Sequence, residues 1–193
     1  ENHYYSADIS SGKIAKITSG SGTHNINAGP AKKYFIDNFN SFSVPREIRI
    51  VNRSSDIVKT MLVAPDPLKD FKLGKALIGT LKASDNTDLY YNLILPADFD
   101  SSKKYPAIVY VYGGPHLQLV TNTFTSGRYA LWFQQMAQKG FAVFILDNRG
   151  SANRGLAFEQ ATFRNLGDVE IEDQMKGVEF LKSLPYIDSS RLG

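Results

Sequence analysis

Ala107-Ile108-Val109-Tyr110-Val111-Tyr112 runs directly into Gly113-Gly114-Pro115-His116, and Phe141-Ala142-Val143-Phe144-Ile145-Leu146 runs into Asp147-Asn148-Arg149-Gly150-Ser151. Neither apolar run alternates with polar residues, which is the pattern of a strand buried on both faces. Each is followed by a loop and then by a helical pattern. After the first, Tyr129, Trp132, Phe133 and Met136 recur at i, i+3, i+4 and i+7, so they are expected on the buried face of a helix that Gly140 stops. After the second, a helix is expected from Asp168 to Leu184, with Ile171, Met175 and Val178 as its buried stripe and Pro185 preventing continuation. Strand, helix, strand, helix predicts an α/β domain built on a parallel sheet. By the same rhythm a third parallel strand is due at Ser190-Arg191-Leu192-Gly193, so the chain is expected to be a piece of a larger protein.

Working outward from these strands, Ala76 to Leu81 and Leu89 to Leu95 flank the polar stretch Ser84-Asp85-Asn86-Thr87-Asp88 and read as an antiparallel hairpin ended by Pro96. Pro65-Asp66-Pro67 marks a change of pattern, and the expected boundary divides residues 1–65 from 66–193. Before it lie short strands between turn formers: Tyr4 to Ile9, Lys13 to Thr18, His24 to Ala28, Lys33 to Phe39 and Glu47 to Asn52. Ser10-Ser11-Gly12, Ser19-Gly20-Ser21-Gly22, Gly29-Pro30 and the segment ending at Pro45 are the breaks. About one blade of a β-propeller fits this length. One blade cannot bury both its faces, so neighbouring blades are expected outside this chain.

Composition narrows the function. The 193 residues carry 22 Lys and Arg against 19 Asp and Glu, a net charge of +3. Residues 1–65 hold eight basic and five acidic side chains, and residues 66–193 hold fourteen of each. A small scattered excess with no basic stripe argues against nucleic acid as a partner. There is no cysteine, which excludes disulfides, thiolate metal ligands and cysteine nucleophiles. Glu1-Asn2-His3-Tyr4-Tyr5 carries no basic or apolar leader and reads as mid-domain sequence. The longest apolar runs are six residues, against the roughly 20 that a membrane-crossing helix needs, so no membrane span is expected.

Two strand ends are the candidate sites, because open α/β sheets place function at the carboxyl ends of their strands. At the first, Tyr112 precedes a double glycine: either it offers its hydroxyl to a ligand, or it is a strand-end aromatic beside a turn. At the second, Arg149 either pairs with a carboxylate to fix its loop or meets substrate. Glu170, Glu172 and Asp173, with Asp168, are explained by the positive end of a helix dipole. Gly150 and Gly155 lack the spacing of a dinucleotide fingerprint and there is no phosphate loop, so no cofactor is expected. His3, His24 and His116 show no ligand spacing and read as lone surface or loop histidines, so no metal is expected. Asn52-Arg53-Ser54 matches a glycosylation acceptor, a weak signal.

Tyr110 through His116, then Asp147 through Ser151, then Gly167-Asp168-Val169-Glu170-Ile171-Glu172-Asp173-Gln174 resemble in order and spacing the catalytic domain of the prolyl oligopeptidase family, its dipeptidyl peptidase IV branch above all. Tyr90 through Pro96, Phe99-Asp100 and Lys103-Lys104-Tyr105-Pro106 resemble the start of that branch's hydrolase domain, and residues 1–65 more weakly its last propeller blade. The resemblance implies the first half of an α/β-hydrolase domain, with a mixed, mostly parallel sheet, preceded by the last antiparallel strands of a propeller. It implies a serine exopeptidase that takes peptides by their free N-terminus and releases dipeptides after proline or alanine. In that branch the tyrosine before Gly-Gly-Pro donates to the oxyanion hole, which is the role implied for Tyr112. The nucleophile's Gly-x-Ser-x-Gly elbow follows the next strand, with Asp and His later still. None of the three is expected in this chain, which would be inactive alone. Homodimerisation of the full-length protein and a periplasmic or secreted location are further implications. The alternatives are another enzyme of the family, an oligopeptidase or acylaminoacyl peptidase, and a non-catalytic relative that serves as a binding protein.

Overall fold

A computed structural model describes residues 1–193. The chain forms two compact units, one of residues 1–71 with 121–126, the other of residues 72–120 with 127–193.

The first unit is antiparallel sheet. β1 (Tyr5–Ala7) pairs with β2 (Ile14–Lys16), while β3 (Thr23–Ala28), β4 (Tyr34–Ser41), β5 (Val44–Asn52) and β6 (Ile57–Val63) form a meander in that order. Alternation along β4 turns Phe35, Asp37, Phe39 and Ser41 inward, and Phe35 packs with Ile17 and Val51. Two features depart from the sequence reading. Pro45 lies inside β5 rather than before a strand, because the turn is only Phe42-Ser43 and β5 begins at Val44. β6 was not anticipated: it pairs only with β5, and every one of its residues is exposed. Residues 121–126, from the connection between two elements of the second unit, also belong to the first. The Asn122 carboxamide accepts from the Phe42 amide at 3.0 Å and donates to the Ser21 hydroxyl at 3.0 Å, and its carbonyl accepts from the Thr23 hydroxyl at 3.0 Å.

The second unit is a mixed α/β sheet. β7 (Ala76–Lys82), β8 (Asp88–Ile94), β9 (Tyr105–Tyr110), β10 (Ala142–Asp147) and β11 (Ile187–Leu192) lie in the order β11-β9-β10-β8-β7. The pairings β11 with β9 and β9 with β10 are parallel, and those of β8 with β10 and with β7 are antiparallel, so the sheet is evenly mixed rather than mostly parallel. The reason is local: the turn from Ala83 to Thr87, with Asn86 left-handed at φ 68°, joins β7 to β8 directly and forces them antiparallel. β10 is buried at all six positions and divides its side chains between two cores. Ala142, Phe144 and Leu146 join Leu93, Ala107 and Leu181 on one face, while Val143 and Ile145 join Val120 and Ala137 on the other.

Each face is covered by one helix. α1 (Gly127–Gln138) packs Phe133, Met136 and Ala137 onto the second core and ends where the Phe141 amide bonds back to Met136. The predicted stripe is only half right, since Tyr129 is 54% and Trp132 38% exposed. Gln134 takes an inward place instead, donating to the Gly74 carbonyl at 3.2 Å and accepting from its amide at 2.7 Å. A short turn of helix, α2 (Leu156–Glu159), places Phe158 in the first core. α3 (Val169–Ser183) reverses the expectation: Ile171 and Met175 are more than half exposed, and Glu170, Asp173, Gly177 and Leu181 face inward. Gly177 permits close approach, because a Cβ there would stand 2.8 Å from the Phe144 ring.

Candidate functional site

α1 and α3 cover opposite faces, so the connections leaving β9 and β10, which are adjacent and parallel, depart to opposite sides of the sheet. Such a switch in direction opens a crevice at the carboxyl ends of the strands, where ligands bind in open α/β sheets. Both sequence motifs lie there.

β9 leaves the sheet two residues earlier than its apolar run suggests, after Tyr110, and Val111 and Tyr112 are about half exposed. The Tyr112 hydroxyl makes no hydrogen bond, so it is free to donate to an incoming group. Its ring lies against Gly114, where a Cβ would come within 2.9 Å of Cε1, so the second glycine of the pair holds space for the tyrosine. His116 follows in a left-handed conformation, φ 63°, its amide bonded to the Gly150 carbonyl at 3.1 Å and its Nδ1 2.5 Å from Glu159.

The second loop is buried and fully bonded. Arg149 is 8% exposed. Its backbone amide and Nε both donate to Asp173, at 2.8 and 3.0 Å, and Nη2 reaches Asp173 at 2.7 Å and Glu172 at 2.9 Å. Nη1 donates to Asp85 at 2.7 Å. Arg149 therefore ties the end of β10 to α3 and to the β7–β8 turn, with four of its five guanidinium N–H groups engaged by carboxylates. Hydrogen bonding to Asp173 raises the guanidinium pKa further above its ordinary value. Ser84 and Arg149 hold Glu172 below the usual carboxylate range, and the Thr87 amide and hydroxyl with the charge of Arg149 do the same for Asp85. The helix dipole thus does not account for Glu172 and Asp173. Their partner is Arg149, and Asp173 is fully buried.

Two further loop residues carry bonds that the sequence reading did not assign. Asp147 ends the wholly buried β10, where a carboxylate must find donors, and it accepts from the amides of Leu119 and Val120 at 2.8 and 3.1 Å. Burial nevertheless raises its pKa. Asn148 donates to the carbonyls of Arg149 at 2.7 Å and Gly113 at 3.4 Å, and accepts from Gln174 at 3.0 Å. A buried amide cannot be left without partners, which is the signal that would have singled it out.

The remaining sequence candidates lie elsewhere. His24 is not a surface histidine: it is 6% exposed in the first unit, with Nδ1 2.8 Å from Asp37 and its ring 5.0 Å from that of His3. Asn52 closes a turn, donating to Asp56 and accepting from the amides of Ser54 and Asp56, so its amide nitrogen is already engaged.

The profile of the prolyl oligopeptidase family matches residues 128–193. Over the whole chain, human dipeptidyl peptidase 8 is 30% identical across 205 residues, and bovine prolyl endopeptidase FAP is 36% identical across 148 residues, 76% of this chain. The crystal structure of a putative dipeptidyl aminopeptidase IV from Bacteroides ovatus superposes with a TM-score of 0.86 over 98% of the chain at 44% identity. The chain belongs to the prolyl oligopeptidase family. Dipeptidyl peptidase 4 from Porphyromonas gingivalis superposes with a TM-score of 0.83 at 25% identity, again over 98% of this chain. The chain spans 22% of human dipeptidyl peptidase 8, 18% of bovine prolyl endopeptidase FAP and 27% of each of these two structures. No helix is long and apolar enough to cross a membrane.

Proposed function

We propose that this chain is part of a serine exopeptidase that releases dipeptides from the free N-terminus of peptides, after proline or alanine. In this reading residues 1–65 are the last strands of a β-propeller, and residues 66–193 are the first half of the α/β-hydrolase domain. The observation that carries it is Tyr112: a half-exposed residue whose hydroxyl has no partner, at the carboxyl end of β9 beside β10, in a chain similar to peptidases.

The chemistry follows from that position. A serine supplied from beyond Gly193, its hydroxyl proton taken by the histidine base, attacks the peptide carbonyl carbon through Oγ, and the carbonyl oxygen takes up the electron pair of its π bond. Tyr112 donates its O–H to that oxyanion, beside a backbone N–H next to the serine. A donor aimed at charge that exists only in the transition state lowers the barrier without tightening substrate binding. The 147–151 loop supplies no reacting group in this scheme and holds the crevice in shape.

The test uses the full-length protein and an Ala-Pro or Gly-Pro chromogenic substrate. Tyr112→Phe is expected to lower kcat by about 100- to 1000-fold with KM nearly unchanged. An unchanged kcat would remove the oxyanion role, and a full-length protein that neither cleaves these substrates nor labels with a fluorophosphonate would move the function to binding. The 193-residue chain alone should neither cleave nor label.

A further inference from the structure

We propose that Asn148 is a positioning residue for Tyr112, its side-chain amide passing the placement of α3 to the loop that carries the hydroxyl. The inference rests on the oxyanion role proposed for Tyr112 and concerns what holds that hydroxyl in place.

The Tyr112 side chain makes no hydrogen bond, so its position is set by the backbone of its loop and by contact with Gly114. That backbone is bonded to the neighbouring loop at two points. The Asn148 amide donates to the Gly113 carbonyl at 3.4 Å, immediately after the tyrosine, and the Gly150 carbonyl accepts from the His116 amide at 3.1 Å. Gly113 is left-handed, φ 73°, and a glycine gives the chain little intrinsic resistance to other conformations. External bonds therefore decide where the loop rests.

Asn148 is suited to the task because its orientation is forced. The Gln174 amide donates at once to the Asn148 carboxamide oxygen, at 3.0 Å, and to the Leu146 carbonyl of β10, at 3.2 Å. With its oxygen engaged by Gln174, the Asn148 nitrogen turns toward the Arg149 and Gly113 carbonyls. The side chain is 2% exposed, so water does not compete for these bonds. Arg149, the next residue, is locked to Asp173 on the same helix. The path runs from Gln174 and Asp173 on α3, through Asn148, to Gly113 and Tyr112. At 3.4 Å the last bond is long, so its effect is to be read in where the hydroxyl points more than in stability.

The test is a double-mutant cycle in the full-length enzyme, measuring kcat and KM for a Gly-Pro chromogenic substrate with wild type, Asn148→Ala, Tyr112→Phe and the pair. Asn148→Ala is expected to lower kcat about tenfold, with KM within about twofold, because a displaced donor costs rate without loosening substrate. In the Tyr112→Phe background the same change is expected to cost nothing more, since Asn148 acts through that hydroxyl. A purely structural residue would lower both backgrounds alike, and that result overturns the proposal, as does an Asn148→Ala enzyme with wild-type kcat. Asn148→Asp guards against misfolding: it keeps the shape and the bond from Gln174 and, as a carboxylate, cannot donate to Gly113, so at the pH values where it is ionised it should match Asn148→Ala, and wild-type turnover at every pH also overturns the proposal. If Tyr112→Phe itself retains full kcat, the oxyanion reading fails and the positioning role falls with it. Loss in Tyr112→Phe with none in the Asn148 variants rejects the positioning role alone.

Discussion

The loops after β9 and β10 leave neighbouring parallel strands at the same edge of the sheet, yet they are built on opposite principles. The first is glycine-rich and half exposed: Tyr112 has no hydrogen-bond partner, and His116 meets only Glu159. In the second, Asp147, Asn148, Arg149 and Ser151 are all buried and all hydrogen-bonded. Polar groups removed from water must pair with protein, and once paired they are not available to a substrate. The difference teaches that the loop richer in charged residues uses them to hold itself in place, while the plainer one leaves a hydroxyl unpaired, as the proposed oxyanion role requires.

The largest effect expected from breaking this contrast lies in the scaffold. Asp173→Ala leaves the buried Arg149 with only the partly exposed Glu172 and Asp85, and should destabilise the full-length protein by about 3–5 kcal/mol in urea unfolding. A loss below about 1 kcal/mol would mean that the cluster does not anchor the loop. Tyr112→Phe should show the opposite split. Its hydroxyl is unbonded, so the unfolding midpoint should stay within about 0.5 kcal/mol of wild type while turnover collapses. A comparable loss of stability would make Tyr112 part of the scaffold.

Gly114→Ala is the next smaller change. A Cβ 2.9 Å from the Tyr112 ring must push the ring aside, and turnover should fall by about tenfold, less than the roughly 100-fold attached to a full ångström of misplacement. Wild-type turnover would show that the ring has room to spare. The smallest effect is on pH dependence. Glu172 and Asp85 have folded pKa values below their unfolded ones, so their contribution to stability is present above the unfolded carboxylate range and is lost as pH falls through the depressed folded values. Asp147, raised by burial, has the opposite sign: its contribution is complete below its unfolded pKa and is lost as pH rises through the folded one. Glu172→Gln should therefore make the acid-side loss of stability shallower, with little change at neutral pH, and an unchanged slope would show that Arg149 does not need Glu172.

The sequence makes the strands more legible than the helix faces. β9 and β10 announce themselves because neither run carries a polar position to obscure it, although only β10 is buried throughout and β9 keeps partial exposure at all but Ala107. α3 misleads because its inner face is set by a distant residue. Asp173 turns inward to meet Arg149, twenty-four positions earlier, Gly177 lets the helix approach Phe144, and Ile171 and Met175 are left outside by that rotation. α1 is misread for a similar reason, since Gln134 turns inward to bond the backbone at Gly74. β6 escapes because it is exposed throughout and shows no inward face. Nothing local in Thr121 to Ser126 marks it as joining the first unit. That depends on Asn122 meeting the amide of Phe42, eighty residues away.

By itself the sequence determined the mixed α/β class of the second unit, the antiparallel strands of the first, the two loops at the strand ends and the family, because these rest on apolar periodicity and on motifs local to the chain. Tertiary structure alone decided which face each helix buries, that the sheet is evenly mixed, that Arg149 is consumed by three carboxylates and that the Tyr112 hydroxyl stands free. Those outcomes depend on which distant polar groups find one another once water is excluded, and no local pattern in the sequence records that.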